Sequence, residues 1–473
     1  MRERTWLAII IITAGVATQF MWLDYPREVV FDEVHFGKFV TAYCCTGERF
    51  FDIHPPHAKL LVAGMAKLAG YKGGLSFSSI GQKYGDVSPI GFRLVPAIMG
   101  VLLPLVLFRL LRQLGGSYAA AFLGAIIAVF DNALTVQNRI ISLDGLLLVA
   151  IFGAISAYLW MENKQRWVAG GLLTGALCGL AVGAKFTGLA AVGLIGVLIA
   201  WSMLRATTYR MLRRYLAVGL LIAVSGMAVY GAGWALHFAL LPLPGSGDAW
   251  RVPQWNGFIL TDFIRETKEL HKIMYDANYN LEATHQDASS WWSWPIMQTS
   301  VFYWVYGGGE GRAGAIYFLG NPLVWWGGSA LFIIVLFFAC LSLLRRLFEL
   351  RRKFSIFPAF AKGFGGRSNF QFSNMMWILI FGYFIAYVPL MRVPRALFLY
   401  HYLMPLLFAL LAGVLWLDGQ GFFKPGSVLK QPKYYFVLLG AVVAMFVIFS
   451  PLTYGFLLPR ELHDMLFWLD TWR

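Results

Sequence analysis

Charge is scarce in this 473-residue sequence: 13% of the residues are Asp, Glu, Lys or Arg, against 59% hydrophobic and 16% aromatic. A water-soluble globular fold has too little interior to hide that much apolar surface, so that class is excluded. Acidic residues are the scarcer sign, 24 against 39 basic, which leaves a formal net charge of +15. Such an excess can mark a nucleic-acid binder. Here the basic residues collect in short runs between apolar stretches, where they act as topology signals, and no nucleic-acid partner is expected. The four cysteines, Cys44, Cys45, Cys178 and Cys340, are too few for a disulfide framework. Cys44 and Cys45 are sequence neighbours, which rarely bond to each other, so neither is given a role. A nucleotide-phosphate loop is missing as well, since Gly307-Gly308-Gly309 is not followed by Lys-Ser/Thr.

What the sequence does have is a succession of long apolar stretches. The first, from about Trp6 to Leu23, follows Arg2 and Arg4 and is long enough to cross hydrocarbon at about 1.5 Å per residue. No small-residue cleavage site precedes Asp24, so it reads as a first span and not as a signal peptide. The two arginines place the N-terminus in the cytoplasm and the loop after the span outside. Further spans are expected near 92–108, 118–136, 144–160, 168–182, 189–204, 216–236, 324–344, 375–390, 397–416 and 434–451. Basic runs at Arg205, Arg210, Arg213 and Arg214, and again at Arg345, Arg346, Lys362 and Arg367, mark the inner side. The expected fold is therefore all-α, a polytopic membrane protein with about 11 transmembrane helices. It divides into an N-terminal transmembrane module (1–237), an outer loop (238–321) and a C-terminal transmembrane module (322–473). Within that loop, 261–275 alternates polar and apolar residues as an interfacial helix does.

This topology sorts the polar residues. Asp32, Glu33, Asp52, His54, Arg93, Arg139, Asp144, Lys185, Arg392, Arg395 and His401 all fall at outer span ends or in outer loops. Each taken alone could be a snorkelling end residue. As a set of both signs on one side, they argue for a shared site near the outer face. Its centre is Phe31-Asp32-Glu33-Val34-His35-Phe36-Gly37-Lys38, followed by Phe51-Asp52-Ile53-His54-Pro55-Pro56. Glu33, His35, His54 and His57 lack the helical i, i+4 His pair of a hydrolytic zinc site, and no metal is expected. Paired carboxylates with separated cations suit another task. One carboxylate deprotonates an acceptor hydroxyl while the cations hold a lipid-linked phosphate as it leaves. Such a phosphate departs as an anion, so the second general acid of a glycosidase is dispensable. The aromatic stretch Trp291, Trp292 and Trp294, with Phe302, Tyr303, Trp304 and Tyr306, reads either as an interfacial belt or as a platform for sugar or peptide.

These motifs, with Lys59, Arg93-Leu94-Val95-Pro96, Leu143-Asp144, Lys185-Phe186-Thr187-Gly188, Leu319-Gly320-Asn321-Pro322 and Tyr400-His401-Tyr402, occur in an order that resembles the protein O-mannosyltransferase family. The resemblance runs from the first outer loop to about Pro405, and it departs from the family pattern at His57-Ala58, where Leu-Gly usually follows the double proline. The outer loop also lacks the soluble carbohydrate-binding insert of eukaryotic members, as in a prokaryotic form. The resemblance implies a GT-C fold and an inverting transfer of mannose from polyprenyl-phosphate-mannose to Ser or Thr of an acceptor protein. That reaction would run at the outer face of the cytoplasmic membrane and without a cofactor, the lipid-linked sugar being a substrate. It matches Asp32 to the catalytic base and Glu33 to its partner. Arg93, Lys185, Arg395 and His401 are then expected at the donor phosphate, with Arg139 and Arg392 as further candidates. Asp52, His54, Asp144 and Trp292 are expected around the loop and substrate, His54 bracing the loop beside the double proline. A related GT-C transferase acting on a lipid or cell-wall glycan is the alternative, because fold does not decide the acceptor. A secondary transporter is a third reading, but no repeat of Gly/Pro-broken spans occurs in corresponding halves.

Overall fold

The computed structural model describes residues 2–254, 259–280, 285–306, 311–353 and 375–473. The Gly307-Gly308-Gly309 run and the basic positions Lys362 and Arg367 lie outside them. The chain is helical almost throughout, in the order α1 (Arg2–Phe20), α2 (Glu33–Thr41), α3 (His57–Leu68), α4 (Ile90–Gln113), α5 (Tyr118–Val129), α6 (Asn132–Gln137), α7 (Asp144–Lys164), α8 (Trp167–Ala184), α9 (Leu189–Leu204) and α10 (Tyr209–Leu240). It continues through α11 (Leu260–Asn280), α12 (Pro322–Lys353), α13 (Met376–Tyr387), α14 (Leu403–Gly419) and α15 (Lys433–Tyr454). Among the described residues, eight helices are long and apolar enough to cross a membrane, and Tyr118–Val129 and Met376–Arg392 are shorter apolar helices. The all-α polytopic fold expected from sequence is the fold adopted.

Helices that are apolar on every side occupy the middle. All of α5 after Tyr118 is buried, as are most of α7 and α14, the arrangement expected of a helix with no polar face. On α10, by contrast, Leu216, Leu220, Val224 and Met227 are exposed and form a lipid-facing surface. Gly175 and Gly179 of α8 let α10 approach closely: a Cβ at either would lie 2.3–2.4 Å from the carbonyl oxygens of Ile222 and Gly226. Small residues replace the hydrophobic effect as the basis of helix packing in lipid. This contact fixes the end of α8, where Lys185 follows.

Two additions to the helical plan matter for the site. Strand β1 (Val301–Val305) pairs antiparallel with β3 (Ala315–Phe318), and the short β2 (Arg312–Ala313) with β4 (Leu458–Pro459). The amphipathic α11 buries Leu270 and Met274 with Trp234 and Phe238 of α10, against Phe51 and Phe186. It thereby covers the two loops that carry Asp52 and Lys185. One sequence expectation is corrected here: Cys44 and Cys45 are joined as a disulfide, within a π-helical turn, Ala42–Thr46, that continues α2.

Candidate active site

Asp32 and Glu33 lie where the α1–α2 connection turns into α2. Phe31, just before them, has φ +46°, a region bulky residues rarely enter without support. Tyr303 of β1 supplies it: the Phe31 N–H donates to Tyr303 O at 3.0 Å, and the two rings stack with centroids 4.0 Å apart. Asp32 then has helical backbone, φ −64° and ψ −7°, and Glu33 is the first residue of α2. On a helix, neighbouring side chains diverge by about 100°. The two carboxylates therefore meet different surroundings.

Glu33 is fully buried and heavily bonded. Its Oε1 accepts from Arg93 Nε at 2.8 Å and Ile141 N at 3.2 Å; its Oε2 accepts from Arg93 Nη2 and Val30 N, both at 2.9 Å, and from Tyr84 OH at 3.2 Å. The remaining Arg93 donors reach the carbonyls of Leu23, Pro26 and Glu28. Arg93, expected at the donor phosphate, is thus committed to the frame instead. The same correction applies to Arg139, which donates to the carbonyls of Gln19 at 2.8 Å and of Met21 and Trp22 at 2.7 Å. It caps the C-terminal end of α1, where orphan carbonyls and the helix dipole favour a cation.

Asp32 is the opposite case. It is partly exposed, and among the described residues its carboxylate has no hydrogen-bond or ion-pair partner. Burial pushes its pKa up to about 7; Lys185 and Arg395 oppose that rise, while Asp144 and Asp52 add to it. Those four groups are the charged surroundings of Asp32, so the structure brings together five of the residues singled out from sequence. Lys185 donates to Asp144 Oδ1 at 2.7 Å, and its ammonium lies 5.4 Å from the centre of the Tyr400 ring. Asp52 is paired with Lys59, which is buried beneath Phe39 and Phe50 and also donates to the His54 carbonyl at 2.7 Å. Lys59 therefore braces this loop, the role expected of the His54 side chain. The His54 imidazole is instead held neutral: burial, then Lys185, Lys59, Arg395 and His401, drive its pKa well below the usual value.

Arg395 differs from Arg93 and Arg139 as Asp32 differs from Glu33. Its Nε is buried without a partner, and it faces Tyr400, Asp52 and Asp32. His401, beside it, is stacked on Trp294 with centroids 6.2 Å apart and has Nδ1 within 3.0 Å of Phe398 O. Two further residues singled out from sequence lie on the exposed side of this cluster. Arg392 is exposed and has no bond to Asp32 or His54. Trp292 is 58% exposed, whereas its neighbour Trp294 is buried and is the one that reaches His401. Among the described residues no three His, Cys, Asp or Glu side chains gather as metal ligands; Glu33 is tied to Arg93, and His57 Nε2 lies 2.9 Å from Val229 O.

Tyr303, Gln137 and Lys59 had no place among the residues picked from sequence. Lys59 stood in a quoted motif and Tyr303 in the aromatic stretch, but a lone neutral Gln137 carries no signal of its own. It takes its meaning only from Asp144, to which its amide donates at 2.5 Å.

Comparison with known proteins gives this geometry a family. Residues 9–241 match the sequence model described as dolichyl-phosphate-mannose-protein mannosyltransferase, and residues 263–472 match the C-terminal four-transmembrane region of protein-O-mannosyltransferase. Dolichyl-phosphate-mannose–protein mannosyltransferase 4 of Schizosaccharomyces pombe is 34% identical over 259 residues, 51% of this chain and 33% of that protein. Protein O-mannosyltransferase 1 of Drosophila pseudoobscura is 35% identical over 243 residues, 49% of this chain and 27% of its own length. The chain thus spans about a third of the length of the curated relatives it matches. A solved Saccharomyces cerevisiae protein O-mannosyltransferase Pmt1–Pmt2 complex, bound to the sugar donor, has the same fold. It superposes with a TM-score of 0.85 at 20% identity, over all of this chain and 93% of that one. With both family regions matched in order and the GT-C fold shared along its whole length, the chain belongs to the protein O-mannosyltransferase family.

Proposed function

We propose that the chain transfers mannose from a polyprenyl-phosphate-mannose donor to Ser or Thr hydroxyls of acceptor proteins, at the outer face of the cytoplasmic membrane. The observation that carries this reading is the unpartnered Asp32 carboxylate facing Lys185 and an unpaired Arg395. Asp32 takes the proton of the acceptor hydroxyl; the hydroxyl oxygen forms a bond to the anomeric carbon as the carbon–oxygen bond to the phosphate breaks. Attack opposite the leaving group inverts the anomeric centre. The lipid phosphate leaves with one more negative charge than it had as a diester. Lys185 and Arg395 meet that charge in a water-poor setting, where a cation is worth more than at an open surface. A carboxylate whose pKa is raised to about 7 is a stronger base than an ordinary one and is still about half ionised at neutrality. No metal enters this scheme.

Incubating the purified protein with polyprenyl-phosphate-mannose and a Ser/Thr-rich peptide should add one hexose to a hydroxyl side chain, read by product mass. Product on a lipid or glycan acceptor with none on peptide would overturn the protein-acceptor reading. Sidedness has its own test in a cysteine-free background. A cysteine at the exposed position 35 should react with an impermeant thiol reagent from outside, and one at position 210 should not.

A further inference from the structure

One side chain outside the charged cluster touches both halves of it. The Tyr303 hydroxyl donates to Gln137 Oε1 at 2.5 Å, the Gln137 amide donates to Asp144 Oδ2 at 2.5 Å, and Asp144 Oδ1 accepts from Lys185 at 2.7 Å. From its ring and carbonyl, the same tyrosine stacks on Phe31 and accepts the Phe31 N–H, immediately before Asp32. Tyr303 is fully buried, and Gln137 and Asp144 nearly so, so the chain of bonds is shielded from competing water. The backbone of Gln137 is itself held, its main-chain carbonyl accepting from Ser142 Oγ at 2.6 Å.

We infer that Tyr303 is a positioning residue that fixes the separation of the Asp32 carboxylate from the Lys185 ammonium, through Phe31 on one side and through Gln137 and Asp144 on the other. The inference rests on the function proposed above. Its physical basis is that a lysine on a four-carbon stem has about 2 kcal/mol of rotamer freedom to lose, and a left-handed phenylalanine does not hold itself. Both are restrained from β1, which follows α11 in the outer part of the chain. The base and the phosphate cation are thereby registered to one another before substrate arrives, a form of preorganisation whose loss by a fraction of an ångström lowers rate steeply.

Tyr303→Phe keeps the ring on Phe31 and removes only the donor to Gln137; Gln137→Met removes the middle link at similar length. The groups facing Asp32 whose titration or charge bears on the readout are Lys185, Asp144, Asp52 and Arg395, with Tyr303 and Tyr400 in the same enclosure. With Asp144 no longer oriented through Gln137, its partner Lys185 is held less firmly at its place near Asp32, and the charged carboxylate is less favoured. Each variant should lower kcat roughly tenfold and move the acid limb of the pH–rate profile to higher pH by about half a unit, and the double variant should be no worse than either single one. A substrate-free arm follows carbodiimide modification of Asp32 by mass spectrometry as a function of pH, and its midpoint should move in the same direction. Reduced activity and reduced melting temperature with both pH curves unmoved would make Tyr303 a merely structural residue and overturn the inference, as would parent-like behaviour. If the parent transfers no mannose while the Asp32 midpoint still moves in Tyr303→Phe, the proposed function fails and the positional coupling stands.

Discussion

Asp32 and Glu33 are neighbours of the same chemical class, and they sit in opposite environments. Around Glu33 every strong donor has been supplied: a bidentate arginine, two backbone N–H groups and a tyrosine hydroxyl. Around Asp32 none has, although cations face it. The cations divide in the same way. Arg93 and Arg139 are saturated by carboxylate and carbonyl oxygens, whereas Arg395 keeps a buried N–H without a partner. A charge whose partners are complete can only hold structure, because a substrate would have to displace them at full desolvation cost. On the function proposed above, free bonding capacity inside an enclosed space is what would separate the reacting half of this site from its frame.

The largest expected effect tests the open half. Asp32→Asn is close to isosteric and removes the proton acceptor, so transfer should fall by roughly 10²–10⁴ while folding and donor binding persist. Turnover at the parent rate, with Glu33→Gln dead instead, would reverse the assignment of the two residues. Next comes the frame. Arg93→Ala leaves the Glu33 carboxylate buried without its main partner and should destabilise the protein by about 3–5 kcal/mol, measured by thermal unfolding in detergent. The same substitution at Arg395 removes no formed bond. Arg395→Ala should leave the melting temperature near that of the parent and lower turnover by one to two orders of magnitude, or about 1.4–3 kcal/mol in the barrier. If Arg395→Ala melts early and transfers sugar normally, the distinction between saturated and unsaturated cations is wrong.

This distinction also marks where sequence reasoning stops. Apolar runs and the placement of basic residues are properties of the chain itself, so the membrane fold was legible: the sequence placed spans near 92–108 and 189–204, and the helices run Ile90–Gln113 and Leu189–Leu204. A charge near an outer span end was legible too. Whether that charge is saturated was not, because saturation depends on carbonyls brought from elsewhere. Nothing in Arg93-Leu94-Val95-Pro96 says that the carbonyls of Leu23, Pro26 and Glu28 will surround its guanidinium. Nor does Phe31-Asp32-Glu33 say that Phe31, supported by Tyr303, turns the loop into the start of α2. A long-range aromatic contact of this kind leaves no local pattern. The same holds for Trp294, which sequence could not separate from Trp292 until His401 was seen packed against it.

The smallest expected effect falls on the residue with the most bonds. Glu33→Gln keeps one acceptor oxygen, which can still receive from Val30 N and from one arginine nitrogen, but it turns the other oxygen into a donor facing Arg93 and Ile141 N. Stability should fall by about 1–3 kcal/mol, less than for Arg93→Ala, where the charge itself is stranded. Turnover per folded molecule should fall less than tenfold, and donor affinity should hardly change, since the bonds of Glu33 run to Arg93, Tyr84 and backbone N–H groups and not to Lys185 or Arg395. The pH dependence gives the cleaner reading. A base with its pKa raised to about 7 makes the rate climb as pH rises through that value and level off above it, because only the ionised carboxylate accepts the proton. Glu33→Gln should leave that limb where it is in the parent, since the group that titrates is untouched. Asp32→Asn should abolish the limb along with most of the rate. Movement of the limb in Glu33→Gln, at matched folded fraction, would mean that the two carboxylates titrate as one unit, and the division between frame and reacting group would have to be drawn elsewhere.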